Sequence, residues 1–154
     1  MRKITPALAL TTMLLVAMPT LAQRNFVTFD KGDLTIQTGA GPQKFTVELA
    51  TDEVRRAQGL AYRQRMAADA GMLFVYPHPQ QATMWMKDMF IPLDVVFIGP
   101  DDRIGNIRER AVPQSQAIIP SDGPVKAVLE LNAGTVSRLG LKRGDQVVAP
   151  SLTN

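Results

Sequence analysis

Cysteine is absent from this 154-residue chain, and histidine and tryptophan occur once each, as His78 and Trp85. The first absence excludes disulfides and thiolate zinc sites, so in an oxidising compartment the fold must rest on its core alone. A single histidine excludes a paired-histidine zinc site. No apolar run reaches the roughly 18 residues that a membrane-spanning helix needs. The chain has no serine nucleophile elbow, no phosphate-cradling loop and no dinucleotide fingerprint: Gly39-Ala40-Gly41 lacks both a third glycine and a following helix. Serine-based hydrolysis and nucleotide chemistry therefore have no support.

What is present begins with a leader. Arg2 and Lys3 precede a 12-residue apolar run over 7–18, Pro19 ends it, and Thr20-Leu21-Ala22 supplies small residues for cleavage. This pattern predicts a secretory signal peptide over 1–22, removed after Ala22, and hence an exported protein, periplasmic or extracellular, with no stable membrane anchor. With no cysteine at the cut, lipid attachment through a thiol is excluded. The remaining 132 residues, 23–154, suit one domain. The leader carries two of the 17 basic residues and none of the 14 acidic ones, so the mature formal charge falls from +3 to +1. A near-neutral chain without a basic run is not expected to bind nucleic acid.

Alternation of apolar and polar residues predicts strands over 34–38 and 44–49, joined at Gly39-Ala40-Gly41-Pro42. Thr51 stands as a helix N-cap, with Asp52 and Glu53 in the first turn and Gly59 at the end. A strand over 71–76 is expected to stop at Pro77 and Pro79, and His78 between them has no neighbour to position it as a base. Further strands are predicted over 83–87, 93–98 and 103–109, the last with a bulge at Gly105 that returns Ile104 and Ile107 to one face. A long loop follows over 110–124, then a strand over 125–131, a short helix ended by Gly140, and a closing strand over 146–149. Many short strands and two short helices predict a mainly β domain, an antiparallel barrel or sandwich.

The unusual residues concentrate between Gly71 and Ile98, which hold Trp85, His78 and four of the eight methionines. Lys87, Asp88 and Asp94 sit there among apolar neighbours, where an unpaired charge is costly. Asp94 falls on a strand face otherwise apolar and needs a partner; Lys87, Arg63 and backbone amides near Pro92 are candidates, with Glu130 able to join. Three roles stand open for this cluster: a satisfied pair or backbone cap, a polar lining for a ligand groove, or acid/base catalysis. Trp85 either anchors a flat ligand or fills the core. Met84, Met86 and Met89 are soft thioethers that suit cuprous copper, and equally suit an irregular core.

Six motifs in one order resemble a known family: Gly59-Leu60 with Arg63, Gly71-Met72-Leu73-Phe74, Trp85-Met86-Lys87, Ile91-Pro92-Leu93-Asp94, Ile119-Pro120-Ser121 and Val128-Leu129-Glu130-Leu131-Asn132-Ala133-Gly134. Together, over about 45–148, they are similar to domain-of-unknown-function family 192 of bacteria and archaea. The resemblance implies a compact, largely β domain, often exported, and no established activity, cofactor or catalytic residue. The chain departs from it at Asp88, where the family commonly has asparagine, and at Met84, where it commonly has an aromatic. The resulting expectation is a monomeric, cofactor-free, non-enzymatic module of the cell envelope. It would bind a small molecule, glycan or envelope protein through Arg63, Trp85, Lys87, Asp88, Asp94 and Glu130. The alternatives are a hydrolase or lyase using Asp94 with Lys87 or Glu130, and a periplasmic copper(I) protein using Met84, Met86 and Met89.

Overall fold

A computed structural model of the chain describes residues 27–153; the expected signal peptide lies outside the described residues. The elements in order are β1 (Asp30–Thr38), β2 (Gly41–Ala50), α1 (Glu53–Gln58), β3 (Ala70–Met84), β4 (Leu93–Ile98), β5 (Ile104–Ala111), β6 (Ile119–Asn132), α2 (Thr135–Leu139) and β7 (Gln146–Val148), before a 3-10 turn at Pro150–Leu152. The strands form one sheet in the order β5-β4-β6-β3-β2-β1-β7. All neighbours run antiparallel except β2 and β3, which α1 and its following loop connect as a parallel pair. An isolated bridge between Arg103 and Gln146 brings the two ends of the sheet together, so it curls into a half-barrel. The expected mainly β domain with two short helices is what forms, as one curled sheet rather than a two-sheet sandwich.

Both faces of this sheet are buried in its middle. Leu34 and Ile36 of β1, Phe45 and Val47 of β2, and Leu73, Val96, Ile104, Leu129 and Val147 form a core to which all seven strands contribute, the mark of the enclosed side of a curl. The other face buries Met72, Phe74, Leu93, Val95, Phe97 and Val128 beneath Leu60, Met86 and Met89 from loops. All six residues of β4 are consequently buried. Its Phe97 has no exposure, and truncating such a phenylalanine to alanine costs about 3–5 kcal/mol.

Several boundaries move for physical reasons. Asp52, not Thr51, caps α1, its carboxylate accepting the Arg55 amide at 2.8 Å. Strand β3 does not stop at Pro77. Between the pairs Val75–Ala127 and Gln80–Val125, Tyr76, Pro77, His78 and Pro79 stand opposite Lys126 alone, so neither proline owes the ladder an N–H. The same irregularity moves Val125 to the opposite core from Ala127. The predicted 83–87 strand ends at Met84, because the Met86 amide donates to the Ser115 carbonyl at 3.0 Å and Asp88 turns with φ 60°. The predicted loop 110–124 shrinks, since β6 already begins at Ile119. There the Ser121 hydroxyl accepts the Ala82 amide at 3.0 Å and donates to the Gly123 carbonyl at 2.7 Å, bridging a ladder that Pro120 and Pro124 interrupt. The bulge at Gly105 forms as expected: Phe97 pairs with Asn106 and Ile98 with Ile104, and both Ile104 and Ile107 join the enclosed core.

Candidate functional site

The sheet places the sequence-predicted residues in four separate settings. Asp94, fully buried, points to the enclosed core side of β4 with Val96 and Ile98. Between the pairs Leu93–Ala111 and Val95–Arg108, strand β5 bulges, with Arg110 at φ 51°. One Asp94 oxygen accepts the Arg110 amide at 2.8 Å, and the other accepts the Val136 amide at 2.9 Å in the first turn of α2. Gly134 at the N-cap of that helix has no side chain to cap with, so Asp94 performs the capping from the adjacent sheet. Asp94 is thus a structural pin between a bulge and a helix start. Lys87 is exposed on the loop after β3, and no ion pair joins it to Asp94 among the described residues. Asp88 is half-buried and uses its carbonyl to accept the Tyr62 amide at 2.9 Å. Arg63 forms a two-point ion pair with Glu48.

Glu130 stands apart from all of these. In register across the sheet, Glu48, Met72, Glu130, Val95 and Arg108 lie side by side on β2, β3, β6, β4 and β5. The outer two charges reach solvent or a partner, while Glu130 sits between Met72 and Val95, which have no exposure. Glu130 itself is fully buried, and neither carboxyl oxygen has a hydrogen-bond partner among the described residues. Burial without a partner pushes its pKa up to about 8. At neutral pH the group is therefore mostly the uncharged acid, a hydrogen-bond donor. Gly71 keeps this part of β6 close to β3: a Cβ there would stand 2.7 Å from the Glu130 carbonyl oxygen and 2.9 Å from Leu131 Cδ2.

Glu130 lines a cleft of about 250 Å³, closed on one side by the end of α1 (Arg56 to Gly59), and on the other by Phe74, Tyr76, Thr83 and Met84 of β3 and by Trp85 and Met89. Trp85 is 60% exposed at this cleft. Arg56 holds its position by donating from Nη1 to the Thr51 and Val75 carbonyls at 2.8 and 2.9 Å, and its Cζ lies 5.6 Å from the centre of the Tyr76 ring. Burial raises the Tyr76 phenol above its ordinary value, Arg56 opposing and Glu130 reinforcing the shift. Trp85 and Glu130, both singled out from the sequence, thus meet here, while Arg63, Lys87, Asp88 and Asp94 do not line the cleft. Arg56, Tyr76 and Thr83 were invisible as site residues, because only the strand order puts them around Glu130. The three methionines also separate: Met84 and Met89 line this cleft, whereas Met86 is built into the core and borders a different depression with Ile107, Ala111 and Ile118.

Fold and site together define a curled β half-barrel that keeps a buried, unpartnered glutamate beside a small cleft. The chain belongs to domain-of-unknown-function family 192, described as an uncharacterised ACR, whose model matches residues 34–149. It is similar to the crystal structure of a candidate transcription regulator from Sinorhizobium meliloti 1021, with 47% identity and a TM-score of 0.79 over 82% of this chain and 99% of that one. It is also similar to a protein of unknown function from Novosphingobium aromaticivorans DSM 12444, with 40% identity and a TM-score of 0.74 over 75% of this chain and 83% of the other. Comparison with curated proteins found no match.

Proposed function

We propose that this protein is a non-enzymatic binding module of the cell envelope that holds a small, flat ligand against Trp85, with Glu130 at the base of the contact. The observation that carries this reading is the Glu130 carboxyl: fully buried, without a partner, and lining an open cleft. Buried polar groups without partners are rare in native proteins and costly, so an unfilled one beside a cavity marks a place where a ligand can supply the missing bond. A cleft of about 250 Å³ is small beside drug-sized pockets. It suits one ring, or a single side chain of a partner protein. Met84 and Met89, unbranched and flexible, are the lining groups best able to give way as a ligand reaches the carboxyl.

Binding is favoured over hydrolysis because the cleft contains one carboxyl. Paired-carboxylate hydrolysis needs a second, and Asp94 stands on the other face of the sheet with both oxygens taken by amides. The leader-like pattern over 1–22 supports work outside the cytoplasm, and the near-neutral mature charge supports a role without nucleic acid, so the transcription-regulator name remains with the Sinorhizobium meliloti protein. N-terminal sequencing of protein recovered from the periplasm would read Gln23 first if export is as proposed, and Met1 in a purely cytoplasmic fraction would refute it. For the site, a panel of one-ring acids, amides, amines and methyl glycosides is titrated while following fluorescence of the only tryptophan. Trp85→Ala, followed by calorimetry, and Glu130→Leu should each abolish binding. Ligands that bind both folded variants as well as wild type would place the site elsewhere.

A further inference from the structure

The polar groups that line the cleft share one property. Arg56 has guanidinium hydrogens beyond those Nη1 uses; Gln58 already accepts the Val27 amide through Oε1 at 2.8 Å and can donate through its amide hydrogens. Tyr76 and Thr83 bring hydroxyls, and Glu130 brings a carboxyl that is mostly in its acid form at neutral pH. All five can donate, and the only full charge among the lining residues at neutral pH is the cation of Arg56. The surroundings do not reverse this. Glu48 and Arg108 share the face of Glu130 two strands away on either side, Glu48 is neutralised by Arg63, and Lys87 and Asp88 on the neighbouring loop do not line the cleft.

We infer that the ligand is a small ring-bearing carboxylate, its ring against Trp85 and its carboxylate oxygens accepting hydrogen bonds from Glu130 and Arg56. This rests on the reading of the cleft as a binding site and adds the charge and chemical class of what binds. An acid-to-carboxylate hydrogen bond is charge-assisted and strong. An amine would instead meet Arg56 repulsion and an acid with no negative charge to offer. The chemistry also fixes the direction of the pH effect. Glu130 can donate only while protonated, so affinity for a carboxylate should be level from about pH 5.5 to 7 and fall up to tenfold per pH unit once the group ionises.

The test uses three probes of one shape, benzoate, benzamide and benzylamine, titrated into the protein at pH 6 and pH 9 with Trp85 fluorescence as the readout. Benzoate should bind tightest at pH 6 and lose at least fivefold at pH 9. Glu130→Gln keeps a donor that cannot ionise; it should stay within about threefold of wild type at pH 6 and lose the alkaline decline. Arg56→Gln should weaken benzoate about tenfold and leave benzamide nearly unchanged, as expected for one charge-assisted contact. Preference for benzylamine or benzamide, affinity that rises toward pH 9, or loss of all binding in a folded Glu130→Gln variant would overturn the carboxylate assignment while leaving a ligand site in place. No binding of any probe would overturn both.

Discussion

The buried Glu130 makes stability depend on pH in a direction opposite to that of most paired carboxylates. Its folded pKa, pushed up to about 8, lies above the ordinary value of 4.5 it regains on unfolding. Between those values the folded chain holds a proton that the unfolded chain has released, so stability is fully present below about pH 4.5 and is lost as pH rises toward 8. At about 1.4 kcal/mol per pH unit, the loss is about 3 kcal/mol by pH 7 and about 4 kcal/mol by pH 8, where the folded group is itself half ionised, a large share of the 5–15 kcal/mol that holds an ordinary domain. Among the described residues, no other shifted group falls in that window. Asp52 is lowered from 3.8, so its contribution is lost only as pH falls below the window, and Tyr76 is raised from 10, above it. Urea unfolding at half-unit steps from pH 5 to 8.5 should show a midpoint that declines steadily, and Glu130→Gln should flatten the decline while being the more stable protein at pH 8. A wild-type midpoint that is level or rises across this range would refute the picture of an unpartnered, protonated glutamate. So would a Glu130→Gln variant with the wild-type slope.

Three further substitutions separate pin from cleft. Asp94→Ala strands the Arg110 and Val136 amides, and at about 1–3 kcal/mol for each orphaned buried group should cost about 2–6 kcal/mol in chemical unfolding while the folded fraction binds cleft ligands unchanged. Gly71→Ala drives a Cβ against the Glu130 carbonyl and Leu131, and overpacking of this kind should lower the thermal midpoint by several degrees, about 1–3 kcal/mol. Lys87→Ala removes an exposed side chain that forms no ion pair among the described residues and should change both stability and binding negligibly, within about 0.5 kcal/mol by urea titration.

The strands were legible wherever one rule governed them. The alternation of Leu34 with Ile36 and of Phe45 with Val47 held because each sends its apolar side to one core. Gly105 was legible as a bulge because two isoleucines three apart admit one face only if a residue is extra. Pro77 and Pro79 misled because a proline's missing N–H is read locally as a stop, whereas a neighbouring strand can absorb it by skipping register. Trp85 and Met86 misled for a related reason. Their spacing suits a strand, yet the Met86 backbone is claimed by Ser115 and Gln114, partners distant in sequence and reached only through tertiary structure.

The site was half legible, and the half that was missed explains why Asp94 drew more attention than Glu130. Both are acids on strands, but Asp94 announces itself by standing among Leu93, Val95 and Val96, while Glu130 shares its alternate positions with Lys126, which reads as a solvated face. What distinguishes them is the neighbouring backbone. Asp94 faces a bulge and a helix start, each with an amide to spare, so its burial is compensated and its role is structural. Glu130 lies on the central strand β6, between β3 and β4, where the ladder already takes the backbone groups and the flanking side chains are Met72 and Val95. Its burial is left uncompensated within the fold. Methionine or leucine at this position would remove that cost; the pH slope of stability measures what the burial costs the fold, and the affinity for a carboxylate probe measures what a bound ligand would return.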